Sequence, residues 1–263
     1  MAESGAPGSA FAGPLPPRGL RRPAPAPVPW RVWEALALLA FFGASQLAAG
    51  LGLGFLARTW GGPDTEPSAA PLLIAVVLVS HGLGWTALRG LLVWRHGLGF
   101  AAALALRRVP ARTLLRTYGL GLAVYLAALT PAALFPPPPE HSNLFLEIFR
   151  QGGATLAVLF AVAVLLAPPI EEALFRGVLF PALRRRLAFL PAALVTTALF
   201  TALHVTQTGA YWPAIAAIFI CGLALAWLRE RTGNLWQPIV FHMGFNSVPF
   251  LVWLAALPFG GIG

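Results

Sequence analysis

The chain has 263 residues, of which 58% are hydrophobic and only 10% are charged. Soluble domains average about 25% charged residues, so the composition excludes an ordinary soluble enzyme and predicts an integral membrane protein built as one helical bundle. The net charge of +9 does not indicate a nucleic-acid partner, because the basic residues fall in short loops and at the ends of apolar runs, as orientation by positive charge predicts.

Residues 1–30 are rich in Pro, Gly, Ala and Arg and have no apolar periodicity, which predicts a disordered tail. Their arginines place this end on the cytoplasmic side, and residues 31–263 form the predicted transmembrane domain. All 18 basic residues are arginine, a bias that suggests a GC-rich genome, so we expect a bacterial cytoplasmic membrane. Cys221 is the single cysteine, so no disulfide framework is expected.

The apolar runs predict an all-α polytopic bundle of about seven membrane spans, with lipid as the surrounding partner. Basic loops recur at every second connection, so the amino terminus lies inside and the carboxyl terminus outside; an eighth span or a re-entrant segment is the alternative. The predicted spans are residues 33–56, 71–94, 113–134, 154–183, 190–205, 212–228 and 235–257.

Two connections carry further predicted structure. In the strongly basic loop at residues 95–116, residues 100–106 resemble a short interfacial helix. The four prolines at 136–139 end the third span. Residues 143–151 then alternate apolar and polar positions, which predicts a short amphipathic helix that lies on the outer surface or covers a site.

The fourth span contains the sequence Glu171-Glu172-Ala-Leu-Phe-Arg176. A charged side chain in hydrocarbon costs about 3 kcal/mol on insertion scales, so three within six residues indicate a site rather than chance. On a helix, Glu172 and Arg176 are i and i+4 and share one face, while Glu171 lies about 100° away. Arg176 can therefore hold Glu172, or a substrate carboxylate, and leave Glu171 free.

Polar residues recur in the later spans as His204, His242 and Asn246. At about 1.5 Å per residue, Glu171 and His204 lie roughly 20 Å from the inner helix ends, Asn246 roughly 18 Å and His242 roughly 12 Å. The groups therefore fall within two helical turns in depth. We expect Glu171 to act as a general base on water, the imidazoles to orient that water, and Asn246 to donate to an oxyanion. Glu171, His204 and His242 are also a possible zinc ligand set.

Together the motifs resemble those of the CPBP family of intramembrane proteases, which includes the type II CAAX prenyl endopeptidases and the Abi bacteriocin-immunity proteins. The resemblance covers about residues 153–257, the catalytic half of the chain. It implies a hydrolase that cleaves a peptide bond in a membrane-associated protein or peptide, with or without a metal ion. The matching motifs, which supply the implied catalytic residues, are Glu171-Glu172-x-x-x-Arg176, Phe200-x-x-x-His204 and His242-x-x-x-Asn246.

The prenylated Cys-a-a-X ending is a eukaryotic signal, so we expect a bacterial peptide or membrane-protein precursor as the substrate. Two other classes of function stay open from the residues alone. Buried carboxylates and histidines also form proton relays in transporters, although transporters commonly have two related halves and this chain shows no internal repeat. The chain could also be a non-catalytic immunity or scaffold protein with a relic site.

Overall fold

The computed structural model describes residues 28–61, 69–137 and 153–256, and every regular element in these ranges is a helix. The predicted all-α class is therefore confirmed. We number the helices α1 to α9. Their bounds are α1 Val32–Gly61, α2 Ala69–Arg89, α3 Phe100–Ala103, α4 Ala111–Ala128, α5 Thr130–Leu134, α6 residues 153–184, α7 Phe189–Ala202, α8 Trp212–Thr232 and α9 Trp236–Ala256.

Six helices in the described ranges are long and apolar enough to cross a membrane, and α7 is a shorter apolar helix. These seven follow the order of the predicted spans, so the polytopic bundle is confirmed. At 14 residues, α7 is about 21 Å long, less than the roughly 30 Å of a hydrocarbon core. It therefore ends inside the bundle, just before His204. The amphipathic helix predicted at residues 143–151 lies outside the described residues.

Helix α6 is not a regular α-helix. Its residues 161–166 and 173–179 are π-helical, and each π segment is followed by proline, at Pro168 and Pro181. In a π turn the N–H group bonds to the carbonyl five residues earlier, as Ala167 does with Val162. Pro168 and Pro181 have no N–H group to donate. The carbonyls five residues before them, those of Ala163 and Arg176, are therefore free to accept from side chains of other helices.

Helices α4 and α9 cross at backbone contact through two glycines. A Cβ atom on Gly121 would lie 2.1 Å from the carbonyl oxygen of Phe241, and one on Gly244 would lie 2.2 Å from that of Tyr118. The Tyr118 hydroxyl also donates to Ser247 Oγ over 2.7 Å. Small residues allow such close approach between membrane helices, and this crossing fixes α9, which carries His242.

Charged residues join the helix ends that were predicted to lie inside. Arg95, just beyond α2, bonds to buried Glu34 in the first turn of α1. Arg184 at the end of α6 makes a two-point contact with Glu230 of α8, at 3.0 and 2.8 Å. These ends therefore meet at one end of the bundle.

The last residues of the predicted tail pack into the same end. Trp30 is 1% exposed, and its indole Nε1 donates to the carbonyl of Val178 over 2.9 Å. Arg185 donates to the carbonyl of Val28 over 2.8 Å. The described part of residues 1–30 thus contacts α6 directly, and residues 1–27 lie outside the described ranges.

Candidate active site

The two adjacent carboxylates of α6 have different surroundings. Arg176 Nη1 donates to Glu172 Oε1 over 3.0 Å, and both side chains are fully buried. The i,i+4 pairing predicted from the sequence is therefore confirmed. The side chain of Glu171 is 14% exposed, and no arginine contacts it within the described residues. Glu172 is thus paired with an arginine, and Glu171 is not.

His242 of α9 lies between the two carboxylates. Its Nδ1 is 3.0 Å from Glu172 Oε1, and its Nε2 is 3.7 Å from Glu171 Oε2. Because ionised Glu172 can only accept, Nδ1 donates this hydrogen bond. In the neutral ring, Nε2 is then an acceptor directed at Glu171. The separation of 3.7 Å is too long for a direct hydrogen bond.

His204 lies two residues beyond the end of α7. Its Nδ1 is 2.8 Å from the carbonyl oxygen of Phe200, one of the carbonyls that a helix end leaves without a partner. The two rings stack at 4.5 Å between centroids. Because Nδ1 donates to the carbonyl, the neutral ring carries its lone pair on Nε2.

A small cleft connects Glu171 with His204. Its free volume is about 10 Å³, close to the space that one water molecule requires. Most of the other lining side chains are apolar, and two are glutamines. The lining residues come from α1, α6 and the end of α7 with its following turn: Phe42, Gln46, Glu171, Phe175, Leu203, His204 and Gln207.

Arg176 is buried and makes its contacts within the protein interior. Besides its bond to Glu172, its Nη2 donates to the carbonyl of Gly222 over 2.9 Å, and its guanidinium lies 4.6 Å from the ring centre of Phe200. A Cβ on Gly222 would lie 2.6 Å from Thr197 and 3.3 Å from Arg176. This enclosed geometry supports the role of holding Glu172, and leaves no access for a substrate carboxylate.

Asn246 contacts a carbonyl of α6 that lacks a backbone partner because the residue in register with it is a proline. Its Nδ2 donates to the carbonyl of Ala163 over 2.9 Å, whose π-register partner would be Pro168. The second such carbonyl, that of Arg176, accepts from Arg229 Nε over 3.0 Å. Asn246 therefore supports the broken helix beside the carboxylates, and its predicted role as an oxyanion donor stays a prediction.

Sequence reasoning missed the contribution of the first two helices. Phe42 and Gln46 of α1 line the cleft, and His81 of α2 contacts Phe42 at 5.3 Å between ring centres. The side chain of His81 is buried. The available signal was Gln46 itself, an amide within an otherwise apolar stretch of α1.

The donor atoms near the cleft are not arranged around one ion. No group of three His, Cys, Asp or Glu side chains among the described residues could hold a metal. The predicted zinc ligands Glu171, His204 and His242 do not form such a group here, although the Nδ1 bonds of both imidazoles leave their Nε2 atoms able to bind a metal. The zinc expectation stays a prediction, and no catalytic step below uses a metal.

Fold and site together define an integral membrane protein whose helix bundle encloses carboxylates, imidazoles and an arginine. Residues 153–248 match the model of a family described as type II CAAX prenyl endopeptidase, Rce1-like. Over this segment the resemblance predicted from the three motifs is confirmed, since the segment is similar to the Rce1-like family. The family consists of membrane proteases that hydrolyse peptide bonds.

Two curated relatives are similar to parts of the chain. An uncharacterised 24.3 kDa protein of Escherichia coli is 35% identical over 126 residues, which are 47% of this chain and 55% of that protein. Bacillus subtilis YdiL, whose name proposes a membrane peptidase, is 25% identical over 108 residues, 41% of each chain. The chain thus spans about half the length of these relatives. No solved structure matches it.

Proposed function

We propose that this protein is an intramembrane endopeptidase in which Glu171 activates a water molecule for peptide-bond hydrolysis. The observation that carries the proposal is the unequal environment of the two adjacent carboxylates. Glu172 is enclosed by Arg176 and His242, whereas Glu171 faces a water-sized cleft together with His204. A general base needs a free carboxylate beside the proton that it removes.

In the proposed reaction, Glu171 accepts a proton as the water oxygen forms a bond to the carbonyl carbon of the substrate. The tetrahedral intermediate then collapses, the carbon–nitrogen bond breaks, and the proton passes from Glu171 to the leaving amine. The acceptor nitrogen of His204, which lines the cleft, accepts from the second hydrogen of the water and orients it, while His242 lies against Glu171. Asn246 uses one N–H group on Ala163, and its second N–H is the proposed donor to the oxyanion.

Glu172 and Arg176 have a supporting role in this proposal. Glu172 fixes the His242 ring by accepting from Nδ1, which directs Nε2 at Glu171. Arg176 donates to the same Oε1 atom and so fixes the Glu172 carboxylate in position beside His242.

We propose a membrane-associated protein or peptide as the substrate, since the site lies within a bundle of membrane-crossing helices. The basic helix ends favour a cytoplasmic position for the amino terminus and for the joined ends of α2, α6 and α8. Arginine usage supports a bacterial cytoplasmic membrane.

The test uses purified full-length protein in proteoliposomes with two fluorogenic peptides, one a transmembrane helix with the reporter pair around an internal bond and one a prenylated peptide that ends in Cys-a-a-X. We expect Glu171→Gln to lower the cleavage rate by about 10²- to 10⁴-fold, the contribution of a general base. Glu230→Gln makes the same substitution at the inner end of the bundle and should retain cleavage. Wild-type cleavage by a folded Glu171→Gln protein would overturn the proposal.

A further inference from the structure

Two glutamines from different parts of the chain line the cleft. Gln46 comes from α1, and Gln207 lies in the connection between α7 and α8; both line the same space as Glu171 and His204. Both are half-buried, and neither carboxamide makes a hydrogen bond to the described residues. Their amide atoms are not among the fully buried polar atoms of the described residues, so they are open to a ligand or to water that enters the cleft.

The chemistry of a carboxamide points to a particular ligand. It offers two N–H donors and a carbonyl acceptor, the same groups that an extended peptide backbone presents. Within a membrane, a helical peptide satisfies its own backbone groups, and these need new partners once the helix is opened for cleavage. The glutamines can supply such partners on both sides of the water-sized space.

The rest of the cleft argues against a charged ligand. Phe42, Phe175 and Leu203 are apolar, and the lining contains one carboxylate, that of Glu171, and no arginine. Arg176 is fully buried and bound elsewhere, so no described cation in the cleft would meet a substrate carboxylate. The lining therefore suits the neutral backbone in the middle of a chain better than a charged chain end.

From this placement we infer that Gln46 and Gln207 bind the backbone of an extended substrate peptide and hold its scissile bond over Glu171 and His204. This inference rests on the proposed function. Leu203 lines the cleft and is 37% exposed, and a Cβ on Gly43 of α1 would lie 4.0 Å from it. We place the entry of the substrate on this side of the bundle.

The experiment compares Gln46→Leu and Gln207→Leu with Gln237→Leu, a matched control at the start of α9. Gln237 is also half-buried and does not line the cleft. With the fluorogenic peptides described above, each cleft variant should raise KM by about 2- to 12-fold, the range of one neutral hydrogen bond, with kcat nearly unchanged. The control should keep the wild-type KM.

A second arm identifies the substrate group that is bound. The same peptide is prepared with single N-methyl groups on the backbone amides that flank the scissile bond. At one or more positions, methylation should weaken binding to the wild type by a similar factor. That penalty should disappear in the variant whose glutamine makes the contact, since the bond is already lost.

Binding of the fluorescent peptides to Glu171→Gln protein, with and without each leucine substitution, provides a readout that needs no cleavage. Equal affinities for the cleft variants and the Gln237→Leu control would overturn the inference, as would N-methyl penalties that persist in both cleft variants. If Glu171→Gln cleaves like the wild type, the proposed function fails. If Glu171→Gln is inactive while the two cleft leucine variants have the same peptide affinity as the Gln237→Leu control, only the present inference fails.

Discussion

The buried pair of Glu172 and Arg176 provides a quantitative test of the site. Arg176→Met keeps most of the side-chain volume and removes the charge. Glu172 then remains as a fully buried carboxylate with only His242 as a partner. Removing one member of a buried pair costs about 3–5 kcal/mol, because the remaining charge is uncompensated. We expect a loss of this size in the free energy of unfolding.

The double variant Glu172→Gln/Arg176→Met should be more stable than Arg176→Met alone. It contains no unpaired charge, and the glutamine oxygen can still accept from His242 Nδ1. We expect the coupling energy between the two positions to be about 2 kcal/mol or more, within the range for residues that share one network. Arg186→Met, on the exposed residue beyond α6, should change stability by less than about 0.5 kcal/mol.

The assay is reversible denaturation of the purified variants in detergent micelles, followed by peptide cleavage at a temperature where all are folded. If Arg176→Met costs less than 1 kcal/mol and the two substitutions are additive, then Glu172 is not held as a buried ion. In that case the argument that Arg176 separates the roles of the two carboxylates fails.

Three further predictions follow from packing and from the donor geometry. Gly244→Ala should destabilise the protein by about 1–3 kcal/mol or more and impair cleavage, because its Cβ would lie 2.2 Å from the carbonyl of Tyr118; Gly119→Ala, with open space around it, should be neutral. Asn246→Asp should lower the free energy of unfolding by about 1–3 kcal/mol, because the carboxylate cannot donate to Ala163. If Glu171 activates the water without a metal ion, cleavage should survive prolonged dialysis against a chelator.

Each of these has a contradicting result. Equal unfolding curves for Gly244→Ala and Gly119→Ala would refute the backbone contact between α4 and α9. Unchanged stability of Asn246→Asp would show that the Ala163 carbonyl needs no side-chain partner. Loss of cleavage on chelation with recovery on added zinc would show that the imidazoles and Glu171 come together around a metal ion.

Much of the site follows from local spacing. The pairing of Glu172 with Arg176 needs only helical periodicity, and the structure contains it. The meeting of α6 with α9 was less secure, because straight-helix rise placed Glu171 and His242 roughly 8 Å apart in depth. The side-chain atoms Glu171 Oε2 and His242 Nε2 nevertheless lie 3.7 Å apart. Long side chains bridge a difference in backbone depth, and a uniform rise does not apply to the two π segments of α6.

The remaining features depend on helix rotation, which an almost uniformly apolar sequence does not specify. The polar side chain of Gln46 favours a position away from lipid, but the sequence of α1 does not indicate that it faces the carboxylates of α6. The carbonyl of Gly222 accepts from Arg176 only because Gly222 packs against α6, and a lone glycine in a helix does not indicate such a contact. Likewise the positive charge at the end of α8 does not indicate that Arg229 donates to the carbonyl of Arg176.

The most direct test of the central claim is mass analysis of the cleaved peptide after reaction in ¹⁸O-labelled water. If Glu171 activates water, the wild-type protein should place a single ¹⁸O atom in the new carboxyl terminus, and the folded Glu171→Gln variant should form almost no labelled product. Labelled product formed at the wild-type rate by Glu171→Gln would contradict the account, as would wild-type product without the label.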